Sequence, residues 1–146
     1  MPTLVTYEAD AKYGPSFGWN EENSSKNAEV LSAGLTSLEN ALSNNVNVGY
    51  GTDLCWSPKS YQGDGLLIHE KVCGAAEALR HCTLNNARIV RMEGKIGEIT
   101  AGAHADLVVL DTNPLKSMNC FSQKSNSIVA VLQGGIPVRD DKLLFD

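Results

Sequence analysis

The chain opens on a short apolar, β-branched run, Thr3-Leu4-Val5-Thr6-Tyr7, which reads as a strand. Turn-forming and polar residues follow, with Gly14-Pro15, Gly18 and a cluster from Asn20 to Ser25. Leu31, Leu35, Leu38 and Leu42 then recur at spacings of four, three and four, which places them on one face of a helix. Ser24 or Ser25 can cap its first amides, and Asn44-Asn45 ends it. Val46 to Tyr50 reads as a second strand, stopped by Gly51-Thr52-Asp53. Strand, helix and strand in this order predict a βαβ unit with parallel strands and a right-handed crossover.

Ser57 to Gly65 carries Pro and Gly and reads as a loop. Leu66 to Arg80 is helical in pattern, and a shorter helix starts at Thr83 or Asn85 and runs to about Met92. The texture then changes. Gly94, Gly97 and Gly102 punctuate the chain before Leu107-Val108-Val109-Leu110, a strand closed by Asp111 and Asn113-Pro114. Ile128 to Leu132 is another strand, and Gln133-Gly134-Gly135 turns it back antiparallel into Ile136-Pro137-Val138. The pattern divides the chain into residues 1–92, rich in helix, and a small β-rich unit, 93–146.

Composition narrows the function classes. The 146 residues leave room for one domain or pieces of two. With 42% hydrophobic and 20% charged residues, the balance is that of a globular protein. A net charge of −5 without a basic stripe argues against nucleic acid or an anionic membrane as partner. No apolar run approaches transmembrane length, and Met1-Pro2-Thr3-Leu4 has no signal-peptide pattern. Cys55, Cys73, Cys82 and Cys120 form no C-x-x-C pair, so a reduced, cytoplasmic setting is the default.

Asp53 is the most informative position. It follows an apolar strand and a Gly-Thr, so it sits where ligands and catalytic groups gather in α/β architectures. A carboxylate there can ligate a metal, take a proton, or cap the next helix. Cys55, two residues on, is either near that site or a small core filler. Trp56, Tyr61 and Gln62 lie in the loop that would overhang a pocket; the aromatics line a substrate site or pack the loop down. His69 and Cys73 share a helical face and can hold a metal, or are a surface His and a buried Cys. His81 and Cys82 point apart on a helix, and His104 lies in a Gly-rich turn. Asp106 and Asp111 flank a strand as turn formers.

Four blocks together carry a resemblance. They are Gly51-Thr52-Asp53; Ala78-Leu79-Arg80-His81-Cys82-Thr83-Leu84-Asn85-Asn86-Ala87; Gly94-Lys95-Ile96-Gly97 with Gly102; and Ala105 to Asp111. Their order and spacing resemble the C-terminal part of the amidohydrolase superfamily. Pro2 to Glu8 is similar to the next-to-last barrel strand in the branch of imidazolonepropionase and the metal-dependent Xaa-Pro dipeptidases. The resemblance implies an α/β chain: a partial (β/α)8 barrel, its last two strands and trailing helices, followed by part of a small β-sandwich. It also implies a divalent metal, zinc, at the barrel mouth and a small amide or peptide-like substrate. Asp53 matches the aspartate that touches the metal and accepts the proton of the attacking water.

The same resemblance predicts an incomplete site. A whole barrel takes about 250 residues, and Asp53 has 52 residues before it. The His-x-His pair and the other ligands of the family have no counterpart, since no histidine precedes His69. A catalytic zinc takes about three protein ligands, so this chain alone is expected to bind none and to turn over little. Lys59 and Gly65 also stand about where relatives carry His and Glu, with Gln62 retained. The competing expectation is a non-catalytic interaction module, or a piece that completes a barrel in trans. Such a module would have to cover the open edges of strands 3–7 and 46–50, which otherwise invite self-association.

Overall fold

The computed structural model describes residues 1–55, 58–142 and 144–145. Among the described residues, five α-helices precede a three-stranded sheet: α1 (Leu4–Tyr13), α2 (Glu21–Ser43), α3 (Asp64–Cys73), α4 (Ala75–Cys82), α5 (Leu84–Ile89), β1 (Leu107–Leu110), β2 (Ile128–Gln133) and β3 (Ile136–Asp140). Short 3-10 turns at Gly14–Phe17, Lys59–Gln62 and Met118–Phe121 link them. Among the described residues, no helix is long and apolar enough to cross a membrane.

The opening run is not a strand. Thr3 to Tyr7 enters α1, which continues through Glu8, Ala9, Asp10, Ala11 and Lys12. Val5 and Ala9, one helical turn apart, are 1% and 0% exposed, and Leu4 rests over Gly34 of α2, where a side chain would collide with it. Burial against α2 and α3 overrides the β preference of five residues. The predicted βαβ unit therefore does not form. The open-edge route to association through residues 3–7 goes with it, because a helix satisfies its own backbone.

The leucine face of α2 is as expected. Leu38 is buried, and Leu31, Leu35 and Leu42 pack half-buried on the same cluster. The cap differs: the Asn20 side chain accepts the Asn23 amide at 2.9 Å, so the helix begins four to five residues before the Ser24 or Ser25 start. The predicted helix from Leu66 to Arg80 is two helices. Gly74, at φ +80°, breaks it, and the backbone leaves α3 there in a conformation that suits glycine.

Val46 to Tyr50, expected as a strand, forms none and pairs with no strand among the described residues. Its polar groups are met from α4 and α5. The Tyr50 amide donates to the His81 carbonyl at 3.1 Å and to Asn86 Oδ1 at 3.0 Å. Asn86 Nδ2 returns to the Tyr50 carbonyl at 2.9 Å, and Asn85 Nδ2 donates to the Val48 carbonyl at 2.8 Å. Here two asparagines stand in for a neighbouring strand.

Residues 107–140 form an antiparallel sheet in the order β1-β2-β3, in which the β2–β3 hairpin is the one the turn chemistry predicts. The Asp106 carboxylate accepts the Gly134 amide at 2.7 Å and pins the hairpin to the start of β1. Pro137 sits on the edge strand, where its missing N–H costs least. The segment after β1 returns to the helices. Met118 is 0% exposed beside Leu66 and Ala78, and its amide donates to Glu70 at 3.1 Å.

Candidate functional site

Asp53 lies three residues beyond Tyr50, in the segment that Asn85 and Asn86 hold. Its backbone is in the left-handed region, at φ +51°, which Asp tolerates better than most residues. Two donors fix its carbonyl there: the Thr6 hydroxyl at 3.1 Å, from α1, and the Cys55 amide at 3.0 Å. The carboxylate is exposed, and Cys55 Sγ donates to Oδ1 at 3.4 Å. That hydrogen bond and the charge behind it raise the Cys55 thiol above its ordinary pKa. Cys55 is exposed, so it is not the core filler that one reading offered. Asp53 heads no helix, because α3 begins only at Asp64; its capping role falls away.

The other proposed loop residues part company. Trp56 lies outside the described residues. Tyr61 is buried, edge-on to Tyr13 with ring centroids 5.9 Å apart, and its hydroxyl accepts from Lys12 Nζ at 2.9 Å. It fastens the loop to α1, and the Lys12 ammonium lowers its phenol pKa. Gln62 is exposed, and its backbone carbonyl takes the Tyr50 hydroxyl.

His69 and Cys73 do not share a ligand set. His69 is 1% exposed and not at the surface as expected, while Cys73 is half-buried and its thiol donates to the His69 carbonyl at 3.0 Å. His69 Nδ1 instead meets His81 Nδ1 at 2.8 Å in a buried pair. Burial lowers both pKa values, that of His69 to about 4, with the neighbouring His81 adding to the effect. His104 is exposed, as its turn suggests. Among the described residues, no group of three or more His, Cys, Asp or Glu side chains converges to hold a metal. Asp53 fits a metal only as a single ligand.

A groove of about 540 Å³ lies between α4 and the sheet, lined by Leu79, Cys82, Ile96, Leu107 and Phe121 among others. It is mostly apolar and does not include Asp53.

The model of the amidohydrolase family matches residues 8–138. The chain belongs to the amidohydrolase family. Its α/β architecture is that of a prolidase crystallised with N-methylphosphonate-L-proline, 41% identical with a TM-score of 0.85 over 95% of this chain and 34% of that one. A putative prolidase from Bifidobacterium longum is 25% identical, with a TM-score of 0.79 over 94% of this chain and 34% of its own. Among sequences, a 5-methylthioadenosine/S-adenosylhomocysteine deaminase from Acetivibrio thermocellus is 28% identical over 133 residues, 77% of this chain and 31% of that protein. The chain thus spans about a third of the length of the amidohydrolase relatives it matches. Family members of this kind are in general metal-dependent and act on small molecules.

Three features of the site were not singled out in the sequence. Thr6 was read within a strand, not as the donor to Asp53. Asn85 reads as a helix cap, and Asn86 stands only as a member of a block that carries the family resemblance. Their adjacency just after a helix start was the one visible signal. The meeting of His69 and His81 left none, because twelve residues and a Gly74 break separate them.

Proposed function

We propose that this chain supplies the closing segment of an amidohydrolase that hydrolyses a C–N bond in a small peptide-like amide. Residues 1–92 would form the last part of its barrel and 93–146 part of a small β-sandwich, acting in the cytoplasm. The carrying observation is the 41% identity to the prolidase over 95% of the chain, together with an exposed, backbone-held Asp53. Identity at that level exceeds the 28% to the deaminase, which favours an amide next to a proline-like ring over a purine amine.

In this reading Asp53 takes a proton from the attacking water and passes it toward the leaving nitrogen. Thr6 and the Cys55 amide keep its backbone turned so that the carboxylate faces outward. Zinc would need about two further protein ligands, and the described residues do not provide them. The chain by itself is therefore proposed to turn over little.

Titration of the purified chain with Mn²⁺, followed by NMR line broadening, tests the role of Asp53. Weak binding that broadens Asp53 and is lost in Asp53→Asn supports it. Broadening confined to other residues overturns it. Stoichiometric zinc with release of proline from N-acyl-proline would overturn the proposal that the site is incomplete.

A further inference from the structure

The buried histidine pair is unused by the proposed chemistry, and its geometry is unusual. His69 and His81 are 1% and 0% exposed, with rings 76° apart and centroids 5.0 Å apart. At 2.8 Å, the two Nδ1 atoms have room for one hydrogen between them: one nitrogen donates and the other accepts. His81 Nε2 is buried without a hydrogen-bond partner; Glu77 Oε1 stands 3.6 Å away, too far for a good bond. The pair ties α3 to α4 across the Gly74 break. Its far side touches the segment that leads to Asp53, through Tyr50, whose ring is edge-on to His69 at 5.4 Å and whose amide is held by the His81 carbonyl.

We propose that His69 and His81 form an acid-sensitive latch that holds residues 46–53, and with them Asp53, against α4 and α5. A first proton goes to His81 Nε2, where Glu77 can close in, and the Nδ1–Nδ1 hydrogen bond survives it. A second proton goes to His69. Both Nδ1 atoms then carry hydrogen, the bond becomes a repulsion between two like charges, and α3 and α4 must part at this point.

The surrounding titratable groups do not relieve that charge. Tyr50 faces the pair and Cys82 acts on Tyr50; burial raises both pKa values, so both remain neutral as the pH falls. Cys73, on α3, is likewise pushed up, to about 11. The Met1 amino group adds positive charge toward His69. Glu77 is the anion at hand, and it favours the charged form of His81. Parting of the helices removes the His81 carbonyl from the Tyr50 amide and leaves the asparagines as its remaining hold.

The test is amide hydrogen exchange and imidazole NMR on the whole chain between pH 7 and pH 3.5. After correction for intrinsic rates, protection of the Tyr50 amide is expected to fall by about tenfold per pH unit for each proton taken up. The helical amides of α2 should stay protected over the same range. His69→Gln, which cannot take the second proton, is expected to keep Tyr50 protected at the acid end. If that variant does not fold, the His69 ring signals in the unaltered chain must move together with the Tyr50 amide. An ordinary His69 titration near pH 6.5 would overturn the latch. So would loss of α2 protection at the same pH, which would mean global unfolding. Asp53→Asn leaves the profile unchanged whether or not Asp53 is catalytic, so the latch and the proposed chemistry fail separately.

Discussion

Asn86 pairs with Tyr50 as a neighbouring strand would, giving its amide group to both the N–H and the C=O of one residue, at 3.0 and 2.9 Å. A segment outside helix and sheet needs such partners, because its backbone does not bond within itself. In this chain the clamp lies three residues before Asp53, so it sets where the carboxylate stands.

Replacing Asn86 by Leu is expected to destabilise the chain by about 1–3 kcal/mol, since it strips the Tyr50 carbonyl of its partner. Urea unfolding measures the loss. The Tyr50 amide, which retains the His81 carbonyl, should exchange faster than it does in the unaltered chain.

Gly63→Ala is expected to cost about 1–3 kcal/mol or more, read as a lowered melting temperature. An added Cβ would collide with the Phe121 carbonyl, a backbone atom that cannot rotate away. Gly63 has a negative φ of −72°, so the cost would come from the close approach of Met118–Phe121, not from backbone strain.

Stability should fall in acid because of the histidine pair. His69 has its folded pKa depressed from 6.5 to about 4. Between those values the unfolded chain binds more protons, so stability is full above about pH 6.5 and declines as the pH drops toward 4. The decline from His69 is at most about 3 kcal/mol, and His81 shifts in the same direction. Urea midpoints at pH 7 and pH 4.5 check the sign. His81→Leu should flatten the dependence.

Asp53→Asn should leave stability nearly unchanged, because the carboxylate is exposed and asparagine also accepts a positive φ. The Cys55 thiol, released from the neighbouring charge, should ionise at lower pH and react faster with a disulfide reagent at pH 8. Cys73 and Cys82, both raised to about 11, should remain slow. An unchanged Cys55 rate would show that the thiol and carboxylate do not interact.

Much of the architecture could be read locally. The four leucines of α2 carry a helical period long enough to outweigh any competing signal. Gly134-Gly135 between two apolar runs dictates a hairpin whatever surrounds it. Thr3 to Tyr7 misled because five residues are too short a window, and Ala9 and Tyr13, which complete the helical face, lie beyond it. The split at Gly74 was visible as a glycine, though not its φ, since Gly in a helical pattern is often tolerated.

The amino-acid order by itself determined the α2 helix, the antiparallel hairpin and the amidohydrolase resemblance. These rest on periods, turn residues and motif spacing, which act between neighbours. Tertiary structure decided that residues 4–13 coil and that amide side chains replace a missing strand partner. It also decided that two distant histidines meet through their Nδ1 atoms in the core. Each of those outcomes depends on which surfaces become buried against each other and which polar groups must then find partners, a condition that no local stretch of sequence contains.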